Sequence, residues 1–158
     1  MATTPTDLWG QDIALNTTST GMGQAIVTAA GELALTEGVE TGVQDIKIRV
    51  FYRLGALFYD KNFGSLVHDW ILEENTTENR MGLESELVLR IEQDPRVVVG
   101  SVAATTLAWD ERQVVVQVTW EFIGEDQPYN LVLQHNKSTK ELVIDDVAPT
   151  AISLNAGI

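Results

Sequence analysis

The hydrophobic pattern changes from a helical period to a period of two at Pro95. Before it, Leu83, Leu87, Val88 and Ile91 recur at three- and four-residue intervals, which puts them on one face of a helix. Beyond it, Val114, Val116, Val118, Trp120 and Phe122 alternate with Val115, Gln117, Thr119 and Glu121. That is the pattern of a strand with one buried and one wetter face. Proline stops the helix, and it pushes the residue before it out of the helical region. Asp94 is therefore expected to be extended already, with its carboxylate turned away from the helix axis.

The other segments fit around this corner. From Glu40 on, Val43, Ile46, Val50 and Leu54 repeat at helical spacing. This predicts an amphipathic helix capped by Thr41 and stopped by Gly55, with Lys47, Arg49 and Arg53 on its solvated side. Ala56 to Ser65 suits an extended arm, a tight turn and a return, and LVHDWILEE is a second helical piece. A third helix is expected over about residues 77–93, capped by Thr76 or Thr77, with Glu86 and Arg90 four apart in the favourable order.

Residues 1–42 contain short β-like runs, QDIALN, GQAIVTA and GELALTEG, read as two or three strands with a turn at Ala30-Gly31. After the corner, a strand running from Val97 to Trp109 turns at Asp110-Glu111-Arg112 into the alternating strand. NLVLQH and ELVIDDV form a second, shorter hairpin through Asn136 to Lys140. The expected fold is α+β: short N-terminal strands, then two to three helices packed on a mainly antiparallel sheet with C-terminal hairpins. With 158 residues and a hydrophobic fraction of 44%, one core and one domain over 1–158 are expected, with 1–20 and 148–158 as mobile ends.

Charge and composition exclude several classes. Ten basic against 23 acidic residues give a formal charge of -13, and no Lys or Arg precedes Lys47 or follows Lys140. Such a field repels phosphate, so neither nucleic acid nor an anionic membrane is an expected partner. The N-terminus has no basic start and apolar run, and no segment approaches the roughly 20 apolar residues of a span; a soluble chain without a signal sequence is expected. Without cysteine there is no disulfide, thiol nucleophile or thiolate-bound zinc.

No metal, cofactor or catalytic residue is expected either. His68 and His135 are far apart, and there is no HExxH, calcium-loop spacing, phosphate-cradling glycine loop or serine-nucleophile pattern. His68 is expected to be partly buried and hydrogen-bonded. Acidic neighbours such as Asp145-Asp146 follow from abundance, and on a strand they point to opposite faces. What the residues do offer is strand edges, above all the last strands and the tail, which can accept a strand from another chain.

The series TGVQDIKIRVFYRLGALFYDKNFGSLVHDWI, followed by a helix ending in IEQDPRV and a β-hairpin, resembles the lysozyme-like baseplate wedge proteins of contractile phage tails, whose relatives occur in type VI secretion systems. The resemblance covers roughly residues 30 to 123. It is carried by Gln44, Arg49, the Arg53-x-Gly55 exit, Phe63-Gly64-Ser65, and Asp94-Pro95-Arg96 in the place of the family's Glu-Pro-Arg motif. Asp for Glu shortens that carboxylate by one methylene.

The resemblance implies a sheath initiator in the virion's tail baseplate, assembled in the host cytoplasm. Baseplate wedge proteins, the tail sheath protein and tube or hub proteins would be its partners. It makes Asp94, Pro95, Arg96, Gln44 and Arg49 partner-binding candidates, with Arg96 in polar contact with a neighbouring subunit. Leu142, Val143 and Ile144 join them on the strand offered for augmentation. The competing role for Arg96 is an internal corner salt bridge. The rival functions are a lysozyme-like glycoside hydrolase of the tail and a generic soluble interaction module.

Overall fold

The computed structural model describes residues 9–18 and 21–147. Three helices form where the apolar spacing placed them: α1 at Val39–Phe51, α2 at Val67–Ile71 and α3 at Thr77–Glu92. Thr76 caps α3, its side-chain oxygen accepting from the Asn79 N–H. The start of α1 differs from expectation. Gly38, with a φ of 58°, precedes the first turn, so Thr41 lies inside the helix, and its hydroxyl donates to the Gly10 carbonyl at 3.2 Å.

The end of α1 differs too, because Tyr52 is already extended, with a ψ of 141°, and Leu54 falls outside the helix. Of the residues expected on the solvated side, Arg53 is exposed and Arg49 half-buried, but Lys47 is buried. The strands Gly21–Ala25, Leu35–Glu37 and Glu141–Val147 and the helix α3 all lie close to α1.

β5 (Ala103–Trp109), β6 (Gln113–Trp120), β7 (Tyr129–Asn136) and β8 (Glu141–Val147) form one antiparallel sheet in that order. The two expected hairpins are thus a single meander, joined by pairing along the whole of β6 and β7. The strand expected from Val97 starts only at Ala103. Val97 makes one isolated bridge to Phe122, and the chain then turns at Gly100, whose φ of 85° favours glycine.

Val114, Val116, Val118 and Trp120 all face the core, as the alternation requires. They meet Ile46 and Val50 from α1, Val67 and Ile71 from α2, and Leu83, Leu87 and Ile91 from α3. Fully burying one such aliphatic side chain is worth roughly 1.5–3 kcal/mol, so this shared layer dominates the stability of the fold.

Among the described residues the N-terminal part holds four short strands rather than two or three. They are β1 (Gln11–Ile13), β2 (Leu15–Thr18), β3 (Gly21–Ala25) and β4 (Leu35–Glu37), paired β1 with β4 and β2 with β3. At Ala14, Ile26 and Ala34 the strands exchange partners. The Ala14 N–H donates to the Ala34 carbonyl, Ala34 to Ile26, and Ile26 back to Ala14. Of the ends expected to be mobile, residues 11–13 and 15–18 lie in strands, while 1–8, 19–20 and 148–158 lie outside the described residues.

Candidate functional site

Past the end of α3 the Asp94 carboxylate folds back over the turn and is almost completely buried. It accepts from the Arg96 N–H at 2.9 Å, then takes the guanidinium as a two-pronged partner, Nε to Oδ1 at 2.9 Å and Nη2 to Oδ2 at 2.8 Å. Pro95, exposed between them, holds the tight turn that makes this closure possible. The same guanidinium reaches Asp45 on α1 at 2.6 Å and the Trp9 carbonyl at 3.1 Å, and it lies 5.8 Å from the centre of the Trp9 ring.

Arg96 therefore ties three segments together: the corner after α3, the middle of α1 and the start of the N-terminal strands. Its side chain is only 14% exposed. The hydrogen bonds to Asp94, followed by those to Asp45, hold its charge on more firmly than in water, against the opposing effect of burial. The guanidinium expected to contact another subunit is engaged within this chain by Asp94, Asp45 and the Trp9 carbonyl.

Gln44 serves the same N-terminal segment. Its side-chain oxygen accepts from the Leu15 N–H at 3.0 Å and its amide donates to the Ile13 carbonyl at 2.9 Å. These two groups flank Ala14, where β1 gives way to β2, so the buried amide replaces a missing strand neighbour. Gln44 is thus also used internally.

Arg49 is not part of this cluster. Its guanidinium lies over the Phe63 ring, 4.9 Å from the ring centre. Beside it the Phe63-Gly64-Ser65 turn is fastened to the end of α1: the Ser65 hydroxyl donates to the Val50 carbonyl at 2.7 Å, and its N–H to the Tyr52 carbonyl at 2.9 Å. Glu86 accepts from both the Leu66 N–H and Arg90 Nε, at 2.8 and 2.7 Å. This i,i+4 pair is a mostly buried anchor for the turn. His68 donates from Nε2 to the Phe51 carbonyl at 2.7 Å.

The two edges of the sheet are unlike. On β5, Glu84 of α3 accepts from both the N–H and the hydroxyl of Thr106, at 2.9 Å each, which occupies an outward-facing backbone donor. On the far side, β8 pairs with β7 and, among the described residues, with no further strand. β2, β3 and α1 also lie close to β8. Leu142 and Ile144 are buried in the core and Val143 is half-buried, so those two side chains cannot act as an exposed docking pair.

Trp9, Asp45 and Glu84 went unnoticed in the sequence. Only the Thr76-x-x-Asn79 cap and the helical spacing from Glu84 to Leu87 and Ile91 hint at which side Glu84 occupies. Among the described residues no group of three or more His, Asp and Glu could hold a metal ion, and no helix is long and apolar enough to cross a membrane.

No protein-family profile and no curated protein matches the chain. A solved structure does: a "putative tail lysozyme" from Geobacter sulfurreducens, 18% identical, with a TM-score of 0.53, overlapping 72% of this chain and 96% of that one. At that identity the likeness is one of fold, and this chain shares the α+β fold of that tail protein across nearly all of the latter's length.

Proposed function

We propose that the chain is a structural component of a contractile tail baseplate, where it acts as a sheath initiator and joins the wedge to the first sheath ring. The observation that carries this reading is the fold shared with the Geobacter tail protein. The order of Gln44, Phe63-Gly64-Ser65 and Asp94-Pro95-Arg96 along the chain supports it. In this reading the protein belongs to the virion's tail, is assembled in the host cytoplasm, and meets wedge, sheath and tube or hub proteins.

The residues of the corner build the platform, and the backbone of β8 makes the join. Strand addition draws on main-chain hydrogen bonds and asks little of side chains, which suits an edge whose Leu142 and Ile144 are already buried. Arg96 and Gln44 keep the N-terminal strands, α1 and the corner in register, so that the platform arrives at its partners already ordered. Deleting the gene tests this: tail particles are expected to assemble tubes without ordered sheaths, and normal sheaths would overturn the reading.

The name of the Geobacter protein favours a second reading, glycan hydrolysis in the tail. That chemistry needs two carboxylates about 5 to 9.5 Å apart across a cleft, one of them held protonated. Turnover of purified cell wall by the isolated chain, abolished by replacing one carboxylate, would support it against the structural reading.

A further inference from the structure

We infer that the N-terminal ribbon is a docking surface for a segment of a different protein whose aliphatic side chains are flanked by Lys or Arg. The ribbon displays a row of large, exposed aliphatic side chains. Ile13 and Leu35 face each other across β1 and β4, and Val27 and Leu33 across an isolated bridge just beyond. Leu33 and Leu35 are two apart on one extended stretch, so all four share a face. Their exposures are 39%, 55%, 59% and 51%.

The opposite face is covered by α1 at Thr36. Thr36, between Leu35 and Glu37, is buried and its hydroxyl meets that of Thr41 on α1 at 2.9 Å. The aliphatic row therefore points away from the domain. An open apolar row on a short ribbon is unfavourable in water and marks a contact site.

The surrounding charge selects the occupant. Glu37 shares the face of Leu35, Asp12 and Glu32 adjoin Ile13 and Leu33 along the chain, Glu40 opens α1, all four are exposed, and no Lys or Arg precedes Lys47. A second copy would bring the same acidic rim against this one, within a chain of formal charge -13, and like charges across an interface are repelled. A segment with basic residues beside its aliphatic ones neutralises the rim while covering the row. The inference rests on this surface alone and stands or falls independently of the tail assignment.

The test is a titration of the full chain, with methyl groups observed by NMR, against three synthetic peptides: alternating Lys and Val, alternating Glu and Val, and alternating Lys and Ser. The Lys-Val peptide is expected to bind saturably and shift the methyls of Val27, Leu33 and Leu35, with the other two peptides much weaker. Leu33→Ser with Leu35→Ser should weaken it by about tenfold or more, because two aliphatic contacts are lost. Both side chains are exposed, so the core methyl spectrum should be unchanged.

Glu32→Gln with Glu37→Gln should weaken binding in low salt and make it less salt-dependent. Several results would overturn the inference: no binding of the Lys-Val peptide, binding insensitive to the two Ser substitutions, or equal binding of the Lys-Ser peptide. A dimer in sedimentation that the Ser variant loses would also overturn it, by assigning the row to a second copy.

Discussion

Arg96 donates to the carbonyl of Trp9, 87 residues earlier in the chain, at 3.1 Å, while the other edge of its guanidinium closes on Asp94 two residues away. One side chain thus couples a local corner to the most distant described segment. Removing it leaves the Asp94 carboxylate buried without its cation, a loss on the order of 3–5 kcal/mol. Arg96→Ala should lower the urea midpoint accordingly. Arg96→Lys should lose less, since it keeps the charge but not the fork, and adding Asp94→Asn to Arg96→Ala should restore part of the loss. An unchanged midpoint for Arg96→Ala would show that the clamp contributes nothing.

Gln44→Ala strips the Leu15 N–H and the Ile13 carbonyl of their partner. Leaving such groups unsatisfied costs roughly 1–3 kcal/mol. The effect should be local: amide exchange at Leu15 should accelerate well before that of Val116 in β6. Equal acceleration at both would mean that the N-terminal strands unfold only with the sheet.

Gly64 combines a φ of 115° with a space closed by backbone. An added Cβ would lie 2.8 Å from the Arg53 and Tyr52 carbonyl oxygens, atoms that cannot rotate aside. Gly64→Ala should cost more than the roughly 1–3 kcal/mol of backbone strain alone. Gly100→Ala, with a φ of 85° and nothing within 4 Å, should cost the strain only. Thermal unfolding of the two variants side by side checks the order.

Burial in the sheet's inner layer pushes the His135 imidazole below its usual pKa, with the positive fields of His68 and Lys137 adding to it. The unfolded chain then takes up a proton near pH 6.5 that the folded chain still refuses, so stability falls as pH drops from about 6.5 towards the folded value. His135→Gln should flatten urea midpoints across that window. A wild-type midpoint independent of pH there would remove His135 as the cause.

The corner itself was legible in the sequence because it is written locally: a helical period, a proline, then a period of two. The buried face of β6 was legible for the same reason. What Arg96 holds was not, because Asp45 and Trp9 lie 51 and 87 residues away and neither carries a spacing that points to the corner. Lys47 reads as a surface residue from its charge, and only the packing around α1 buries it. The run from Val97 to Val102 reads as strand by composition, but its backbone has to turn at Gly100 before it can join the sheet.

The proposed tail role depends on where the chain sits in a particle. The most direct measurement is electron microscopy of purified tail particles carrying an antibody epitope in the exposed turn at Glu125-Asp126. Label confined to the baseplate end, beside the first sheath ring, is the expected result. Label spread along the tube, or particles with ordered sheaths and no label, would contradict the account.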